Sequence, residues 1–189
     1  MDGDTSLMDS HLPEHIQQAA AEACAGGVAA LSIKKHSEVT PMDSIIERQR
    51  EIVARHIRAE NEHDWTAVYD TFVQDDRAHY DVMPLGAVFK GMEGVRGFYQ
   101  SIAAALPDLQ IKVLSEYDVP GCSIREVVIS GTHQSEFAGV KPLGNAIRIE
   151  MAAFYSFDAA SGKLVSERIY YDQASVVRQM QAKQESAGV

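Results

Sequence analysis

Apolar residues recur at helical spacing between residue 40 and Pro107, and this pattern predicts three helices. The first helix begins at a capping box, Thr40-Pro41-Met42-Asp43, and runs to about Asn61. Asp64 caps a second, shorter helix, and a third follows Gly91-Met92-Glu93-Gly94 and ends at Pro107. The apolar stripe of the first helix consists of Ile45, Ile52, Val53, His56 and Ile57.

Strands are indicated by apolar residues that alternate with polar ones. Residues 78–82 and 87–90 form a predicted hairpin. Beyond Pro107 the period changes to two, and inward-facing Leu109, Ile111, Val113 and Tyr117 alternate with Gln110, Lys112 and Glu116. In one of these strands His133 shares the inward face with Val127 and Ile129. The next strand has an inner face of Ile147, Ile149, Met151, Ala153, Tyr155 and Phe157. We therefore predict an α+β fold in which a curved antiparallel sheet wraps around three N-terminal helices.

The last predicted strand, residues 162–172, runs directly into a short helix. Alternation places Arg168, Tyr170 and Asp172 on one side of this strand, whereas Val165, Ile169 and Tyr171 are on the other side. A guanidinium, a phenol and a carboxylate at the end of a strand suggest a functional site. Alternatively, Asp172 is only the N-cap of the helix that begins at Gln173.

Composition narrows the possible partners and the compartment. The chain of 189 residues has a formal net charge of −10, so its overall field repels nucleic acid and anionic membranes. Its early apolar run lacks a basic flank and is too short to span a bilayer, and its two cysteines fit no zinc spacing. We expect a cytoplasmic protein with an N-terminal arm (1–39), flexible or bound to a partner, one domain (40–183) and a tail (184–189).

Several short motifs together resemble the SnoaL-like polyketide cyclase (ester cyclase) family of the NTF2-like superfamily. The motifs are Gly91-Met92-Glu93-Gly94-Val95-Arg96, Leu106-Pro107-Asp108-Leu109, Gly131-Thr132-His133 with Glu136-Phe137 and Gly139, Gly162-Lys163 with Glu167, and Asp172 with Gln179. The resemblance implies a cone-shaped fold with a deep apolar pocket. It also implies that Asp172 is the general acid/base of a cofactor-free intramolecular aldol cyclisation and that a histidine lies nearby. Lys141-Pro142-Leu143-Gly144 departs from the family's usual Pro-Thr-Gly loop.

The residues themselves are compatible with this chemistry. A carboxylate removes a proton beside a carbonyl more readily when an apolar pocket raises its pKa. Such a pocket around Asp172 would be lined by Met151, Tyr155, Phe157 and Phe98. His133 would complete the catalytic pair, and either His133 or a tyrosine, Tyr170 or Tyr155, would donate to the enolate.

Two further groups have alternative roles. Arg168 would clamp the substrate or only pair with Asp172. His79, placed among the substrate contacts, could instead ligate a metal with Asp81 and His133. No spacing motif supports that metal site and no Gly-rich loop supports a nucleotide, so we expect no cofactor.

The sequence leaves two classes of function open, an enzyme and a binding module. The enzyme reading predicts a cyclase, isomerase or dehydratase acting on a small hydrophobic carbonyl compound, or an epoxide-opening enzyme that uses the same pocket. The other reading is a non-catalytic module that binds a small ligand or a protein, because one fold serves many functions. A homodimer is expected, with Phe154, Val128 and Tyr171 as apolar residues on the outer face of the sheet.

Overall fold

A computed structural model of the chain describes residues 41–182. These residues form helices and strands in the order α1 (Pro41–Asn61), α2 (Trp65–Asp70), β1 (His79–Val82), a 3₁₀ turn (Met83–Leu85), β2 (Ala87–Lys90), α3 (Gly91–Ala105), β3 (Gln110–Val119), β4 (Cys122–Thr132), β5 (Ala146–Phe157), β6 (Leu164–Tyr171) and α4 (Gln173–Gln181). The three predicted helices and the β1–β2 hairpin are present at the positions expected from the sequence.

All six strands belong to one open sheet in the order β2-β1-β6-β5-β4-β3. The pairs β1–β2, β3–β4, β4–β5 and β5–β6 are antiparallel, but β1 pairs with β6 in parallel, and Asp81 lies opposite Arg168. The prediction of a purely antiparallel sheet is therefore wrong at this pair. The parallel pair joins the early hairpin to the last long strand, so distant parts of the chain meet at the centre of the sheet.

The helices are held by caps and by an apolar core. The side chain of Asp64 accepts a hydrogen bond from the Ala67 N–H at 3.0 Å and caps α2, as predicted. Val53 of α1, Val68 of α2 and Val95 of α3 are all completely buried. Their burial removes apolar area from water, which is the main stabilising contribution to such a core.

The two faces of β6 have opposite environments. Glu167 and Ile169 are buried on the inner face, and Tyr171 also lies on this side. Arg168 and Tyr170 point to the outer face, where Tyr170 is 42 % exposed. The predicted alternation is thus correct, but the predicted site was assigned to the outer face.

Two other residues also differ from their predicted faces. A β-bulge between Val113 and Ser115 shifts the register of β3, and the Tyr117 side chain is consequently exposed rather than inward. Tyr171 was expected on the outer face as part of a dimer surface, but it lies on the inner side of the sheet.

Some expectations concern residues outside the described range. The N-terminal arm, Thr40 of the capping box and the C-terminal tail lie outside residues 41–182. Within that range, none of the helices is long and apolar enough to cross a membrane.

Candidate active site

An apolar cavity lies between the inner face of the sheet and helices α1 and α3. The space inside it that a water-sized sphere can occupy is about 50 Å³, and the volume is about 600 Å³ when the gaps between lining atoms and the open mouth are included. Its polar lining residues are Glu60, Tyr80, Tyr99 and Tyr171. The remaining lining side chains are hydrocarbon or thioether groups: Val82, Phe98, Ile102, Ala105, Leu106, Leu109, Ile111, Ile129, Phe137, Ile147, Ile149, Met151, Ile169 and Met180.

A buried hydrogen-bond network lies at the Glu60 end of the cavity and is centred on Glu167. The Tyr80 hydroxyl donates to Glu167 Oε1 at 3.1 Å, and the Tyr99 hydroxyl donates to Oε2 at 3.0 Å. Burial, together with the nearby carboxylates, raises the pKa of both phenols well above the usual value. They therefore stay protonated, and both remain donors to Glu167.

His56 of α1 is completely buried in the same network, and its neighbours determine its protonation. The Thr71 hydroxyl donates to the Val68 carbonyl at 2.6 Å, so its oxygen accepts from His56 Nδ1 at 2.8 Å. Nε2 lies 3.2 Å from Glu167 Oε2 and 3.5 Å from Glu60 Oε1. An unprotonated Nε2 would direct its lone pair at two carboxyl groups, so the geometry favours an imidazolium that donates from both nitrogens.

The pKa values follow from the same contacts. Burial by itself would lower the pKa of His56, but the carboxylates of Glu60 and Glu167 outweigh it and raise the pKa to about 10. Burial raises the pKa of Glu60, against the opposing effect of His56. His56 and Glu60 therefore each influence how strongly the other holds its proton.

This network meets the cavity through Glu60, Tyr80 and Tyr99. The Glu60 side chain is 8 % exposed and is the carboxyl group in the lining, whereas His56 and Glu167 lie behind it. A carboxylic acid in an apolar site can donate a proton to a bound oxygen and later take one back. The arrangement can therefore perform acid/base chemistry on a ligand in the cavity.

The same three side chains are also a possible cation site. Ligand atoms of His56, Glu60 and Glu167 all lie within 4.8 Å of one another. Carboxylate and imidazole ligands suit several divalent ions. Tyr80 and Tyr99 already donate to Glu167, so the network is also satisfied by protons. Within residues 41–182, His79, Asp81 and His133 do not form such a cluster, so the alternative metal site predicted from them is wrong.

Asp172 lies outside the cavity lining. Its Oδ1 accepts from the Ser175 N–H at 3.0 Å, so it is the N-cap of α4, which was the alternative role considered from the sequence. Its side chain is 68 % exposed and lies 3.9 Å from the Arg178 guanidinium. The expectation of a pocket-facing Asp172 is not met, because the strand directs residues 168, 170 and 172 away from the inner face.

Three other predicted substrate contacts also lie away from the cavity. Arg168 Nε donates to Asp81 Oδ2 at 2.9 Å and does not pair with Asp172. Tyr170 packs edge-on against Phe154, with the ring centroids 5.5 Å apart. His79 Nδ1 lies 2.8 Å from the Arg77 carbonyl, and its side chain is partly exposed. The outer face of the sheet therefore holds a small polar and aromatic cluster instead of the predicted site.

The remaining predicted residues are on the inner side. Met151 and Phe98 line the cavity, whereas Phe157 lines a separate recess with Ile45 of α1. Tyr155 is buried behind it, with its ring centroid 5.8 Å from that of His56. His133 is completely buried, and in the part of the chain that the structure describes neither ring nitrogen has a hydrogen-bond partner. It does not line the cavity, so its predicted catalytic role has no contact to support it.

Sequence reasoning missed the network formed by His56, Glu60, Glu167, Tyr80 and Tyr99. His56 was recognised only as part of the apolar stripe of α1. Glu60 follows it by four residues, so both side chains lie on the same face of the helix. Two ionisable residues on the buried stripe of a helix were the available signal, because such groups are rarely buried without partners.

Comparison with known proteins agrees with this architecture. The model of the SnoaL-like polyketide cyclase family matches residues 50–180. The chain belongs to this family. The matched segment begins within α1 and ends within α4, so it contains all the residues of the cavity and its network. No curated protein matches the chain.

Three solved structures illustrate the similarity of the family fold. A candidate SnoaL-like polyketide cyclase from Jannaschia sp. CCS1 has a TM-score of 0.67 and 18% identity and covers 77% of this chain and 97% of its own. A Catenulispora acidiphila protein with a ketosteroid isomerase-like fold has a TM-score of 0.57 and 21% identity, covering 69% and 92%. The epoxide hydrolase/cyclase-like enzyme SalBIII has a TM-score of 0.58 and 18% identity, covering 68% and 94%. At these identities the likeness shows the fold, and it confirms the predicted NTF2-like architecture.

Proposed function

We propose that the protein is a cofactor-independent cyclase that acts on a small apolar carbonyl compound, with Glu60 as the acid/base residue. The observation that carries the proposal is a buried carboxyl group with a raised pKa, located in the wall of an otherwise apolar cavity. Membership of the SnoaL-like polyketide cyclase family supports a cyclase-type reaction. Glu60 replaces Asp172 in this proposal, because Asp172 is an exposed helix cap.

The proposed step is an intramolecular aldol-type ring closure of a dicarbonyl substrate, with one carbonyl in its enol form. The carboxylic acid of Glu60 donates its proton to the acceptor carbonyl oxygen while the enol carbon forms the new carbon–carbon bond. The enol oxygen then releases its proton to the Glu60 carboxylate and becomes a carbonyl. Glu60 is regenerated as an acid, and neither an electron carrier nor a metal is needed for the balance.

The residues behind Glu60 would stabilise its transient charge. During the step Glu60 is briefly a carboxylate in an apolar wall, and the His56 imidazolium lies 3.5 Å from its Oε1. Glu167, with its donors Tyr80 and Tyr99, fixes the position of His56. Groups already oriented toward a developing charge lower the barrier without reorganisation at the moment of reaction.

Epoxide opening is a second candidate, because the same proton donor would serve it. Glu60 would protonate the epoxide oxygen while an internal nucleophile of the substrate opens the ring. The structural similarity to an epoxide hydrolase/cyclase-like enzyme favours including this reaction. The non-catalytic alternative uses the cavity for binding alone, and it predicts no turnover with either substrate class.

The test compares Glu60→Gln with Glu62→Gln, an exposed glutamate in the turn after α1 that does not line the cavity. Dicarbonyl and epoxide compounds are screened with the unaltered protein, and turnover of any substrate found is then measured for both variants. Glu60→Gln should lower kcat by about 10²–10⁴, because glutamine cannot transfer the proton. Glu62→Gln should leave kcat unchanged. Full activity of folded Glu60→Gln would overturn the proposal.

A further inference from the structure

The cavity wall has few groups that can form a hydrogen bond with a ligand, because only four of its lining residues have polar side chains. Of its polar lining residues, Tyr80 and Tyr99 already donate their hydroxyl protons to Glu167. The Tyr171 hydroxyl has no hydrogen-bond partner among residues 41–182. Glu60, whose Oε1 lies 3.5 Å from His56 Nε2, and Tyr171 are therefore the two lining side chains left to meet an oxygen of a bound molecule.

The rest of the wall cannot compensate. Fourteen of the lining side chains are hydrocarbon or thioether groups, and they come from helix α3, from the strands, from the connecting segments and from Met180 of α4. Their backbone groups are largely used within strands and helices, as in Ile129 paired with Ile111 and Ile149. A ligand carbonyl placed against this surface would lose its water without gaining a partner, which weakens binding by about tenfold or more for each such group.

We infer that the substrate of this cavity is an apolar compound with no more than two hydrogen-bonding oxygens, and not an oxygen-rich poly-β-keto chain. This inference rests on the proposed function for the reaction, but it concerns what the cavity accepts. The acceptor oxygen meets Glu60, and the enol oxygen, which returns its proton to Glu60 after bond formation, also accepts from Tyr171. A dicarbonyl compound on a hydrocarbon skeleton has this number of oxygens.

Tyr171 contributes selectivity through its donor. Burial raises the pKa of its hydroxyl to about 12, so the group remains protonated over the whole working pH range. It lies on the same inner face of β6 as Ile169, which also lines the cavity. Tyr171→Phe should therefore weaken the binding of a dicarbonyl compound more than that of the matching monocarbonyl compound. Only the dicarbonyl has a second oxygen that can accept from Tyr171.

The experiment measures dissociation constants by calorimetry for a medium-chain diketone and a poly-β-keto ester of the same chain length. The diketone should bind at least about tenfold more tightly for each additional unpaired carbonyl of the ester. Ile149→Thr places a hydroxyl on the cavity wall, and Ile149→Val is the matched control of the same shape. Ile149→Thr should reduce the ratio of the two dissociation constants, ester over diketone, by about tenfold. Ile149→Val should leave this ratio unchanged.

Equal or tighter binding of the ester by the unaltered protein would overturn the inference, as would an identical preference in the Thr and Val variants. Binding is measured without turnover, so the outcome separates from that for Glu60. A preference for the diketone combined with full activity of Glu60→Gln would keep the substrate class and overturn the mechanism. Equal binding of diketone and ester, combined with a loss of activity in Glu60→Gln, would keep the mechanism and overturn the substrate class.

Discussion

Two adjacent charged residues of β6, Glu167 and Arg168, lie in opposite environments, one buried on the inner face and the other half-exposed on the outer face. Glu167 is 3 % exposed and accepts hydrogen bonds from two tyrosines and a histidine on the inner face. Arg168, the next residue, lies on the outer face and pairs with Asp81. Both positions are charged, yet only the inner one is connected to a cavity. Burial next to an apolar space, and not charge alone, distinguishes a candidate catalytic group from a structural one.

The same contrast separates the two carboxyl groups that were considered for catalysis. Glu60 lines the cavity and has a raised pKa, whereas Asp172 caps a helix in solvent. An acid/base residue at neutral pH needs its pKa shifted toward that pH, and burial supplies such a shift. The following predictions test whether the inner and outer groups differ as this account requires.

The largest expected loss of stability follows Glu167→Ala. This change leaves the His56 imidazolium and two tyrosine hydroxyls without their acceptor in a buried site. Breaking a buried ion pair by removing one partner costs about 3–5 kcal/mol of unfolding free energy. The Tm should fall by roughly 6–20 °C.

Glu126→Ala, an exposed glutamate on β4, is the matched control and should change stability by less than about 0.5 kcal/mol. Calorimetry measures both variants. Similar Tm values for the two would show that the network adds little to folding.

A smaller effect is expected from pH. His56 has a folded-state pKa of about 10, whereas the free side chain has a pKa of 6.5. Its contribution to the free energy of unfolding is therefore complete below pH 6.5 and is lost as the pH rises toward 10. The pKa of Glu60 is also raised, and its contribution is lost in the same direction above pH 4.5. We expect the Tm to fall by roughly 5–15 °C between pH 6.5 and 10.

Carboxyl groups with lowered pKa values, such as Asp118 and Asp158, are ionised throughout this interval and do not contribute to the slope. His56→Gln should flatten the dependence. A slope that persists in His56→Gln would assign it to other groups.

Asp172 should show a modest effect that depends on the replacement. Alanine removes the acceptor of the Ser175 N–H and should cost about 0.5–2 kcal/mol of unfolding free energy. Asparagine keeps an acceptor oxygen and should cost little. Denaturant unfolding measures both variants. Equal stability of the two would mean that the cap contributes nothing, and a loss of kcat of about 10²–10⁴ in Asp172→Asn would return the catalytic role to this residue.

The smallest expected change in folding stability concerns the outer face. Leu114 is 53 % exposed and Tyr170 is 42 % exposed there, with Val128 and Phe154 on the same face. We propose that this surface pairs with a second copy of the chain. Light scattering at micromolar concentration should give a dimer mass, and Leu114→Lys should shift it toward the monomer. A monomer mass for the unaltered protein would contradict the proposal.

The sequence was informative about elements and less so about which face encloses the site. Helical spacing identified α1 to α3, and alternation identified the inner residues of β5. For β6 both faces carry polar and aromatic residues, so alternation could not tell the inner face from the outer one. The parallel β1–β6 pair and the bulge that turns Tyr117 outward depend on contacts between distant segments, which local patterns do not encode.

The candidate site was only partly predictable for the same reason. Met151 and Phe98 were assigned to the pocket from their apolar faces, and both line the cavity. The network needs α1, β1, α3 and β6 to converge on one point, because Glu60, Tyr80, Tyr99 and Glu167 come from these four elements. No spacing within the sequence links them. His56 and Glu60 alone carried a local signal, as ionisable residues on a buried helical stripe.

The central claim is that Glu60 is a neutral carboxylic acid in the cavity wall, and infrared difference spectroscopy tests it most directly. The carbonyl band of a buried protonated carboxyl group should be present at neutral pH in the unaltered protein and in Asp172→Asn, and absent from Glu60→Gln. The same band in all three proteins, or in none, would contradict the assignment of the acid to Glu60. Loss of the band in Asp172→Asn alone would instead assign it to the exposed cap.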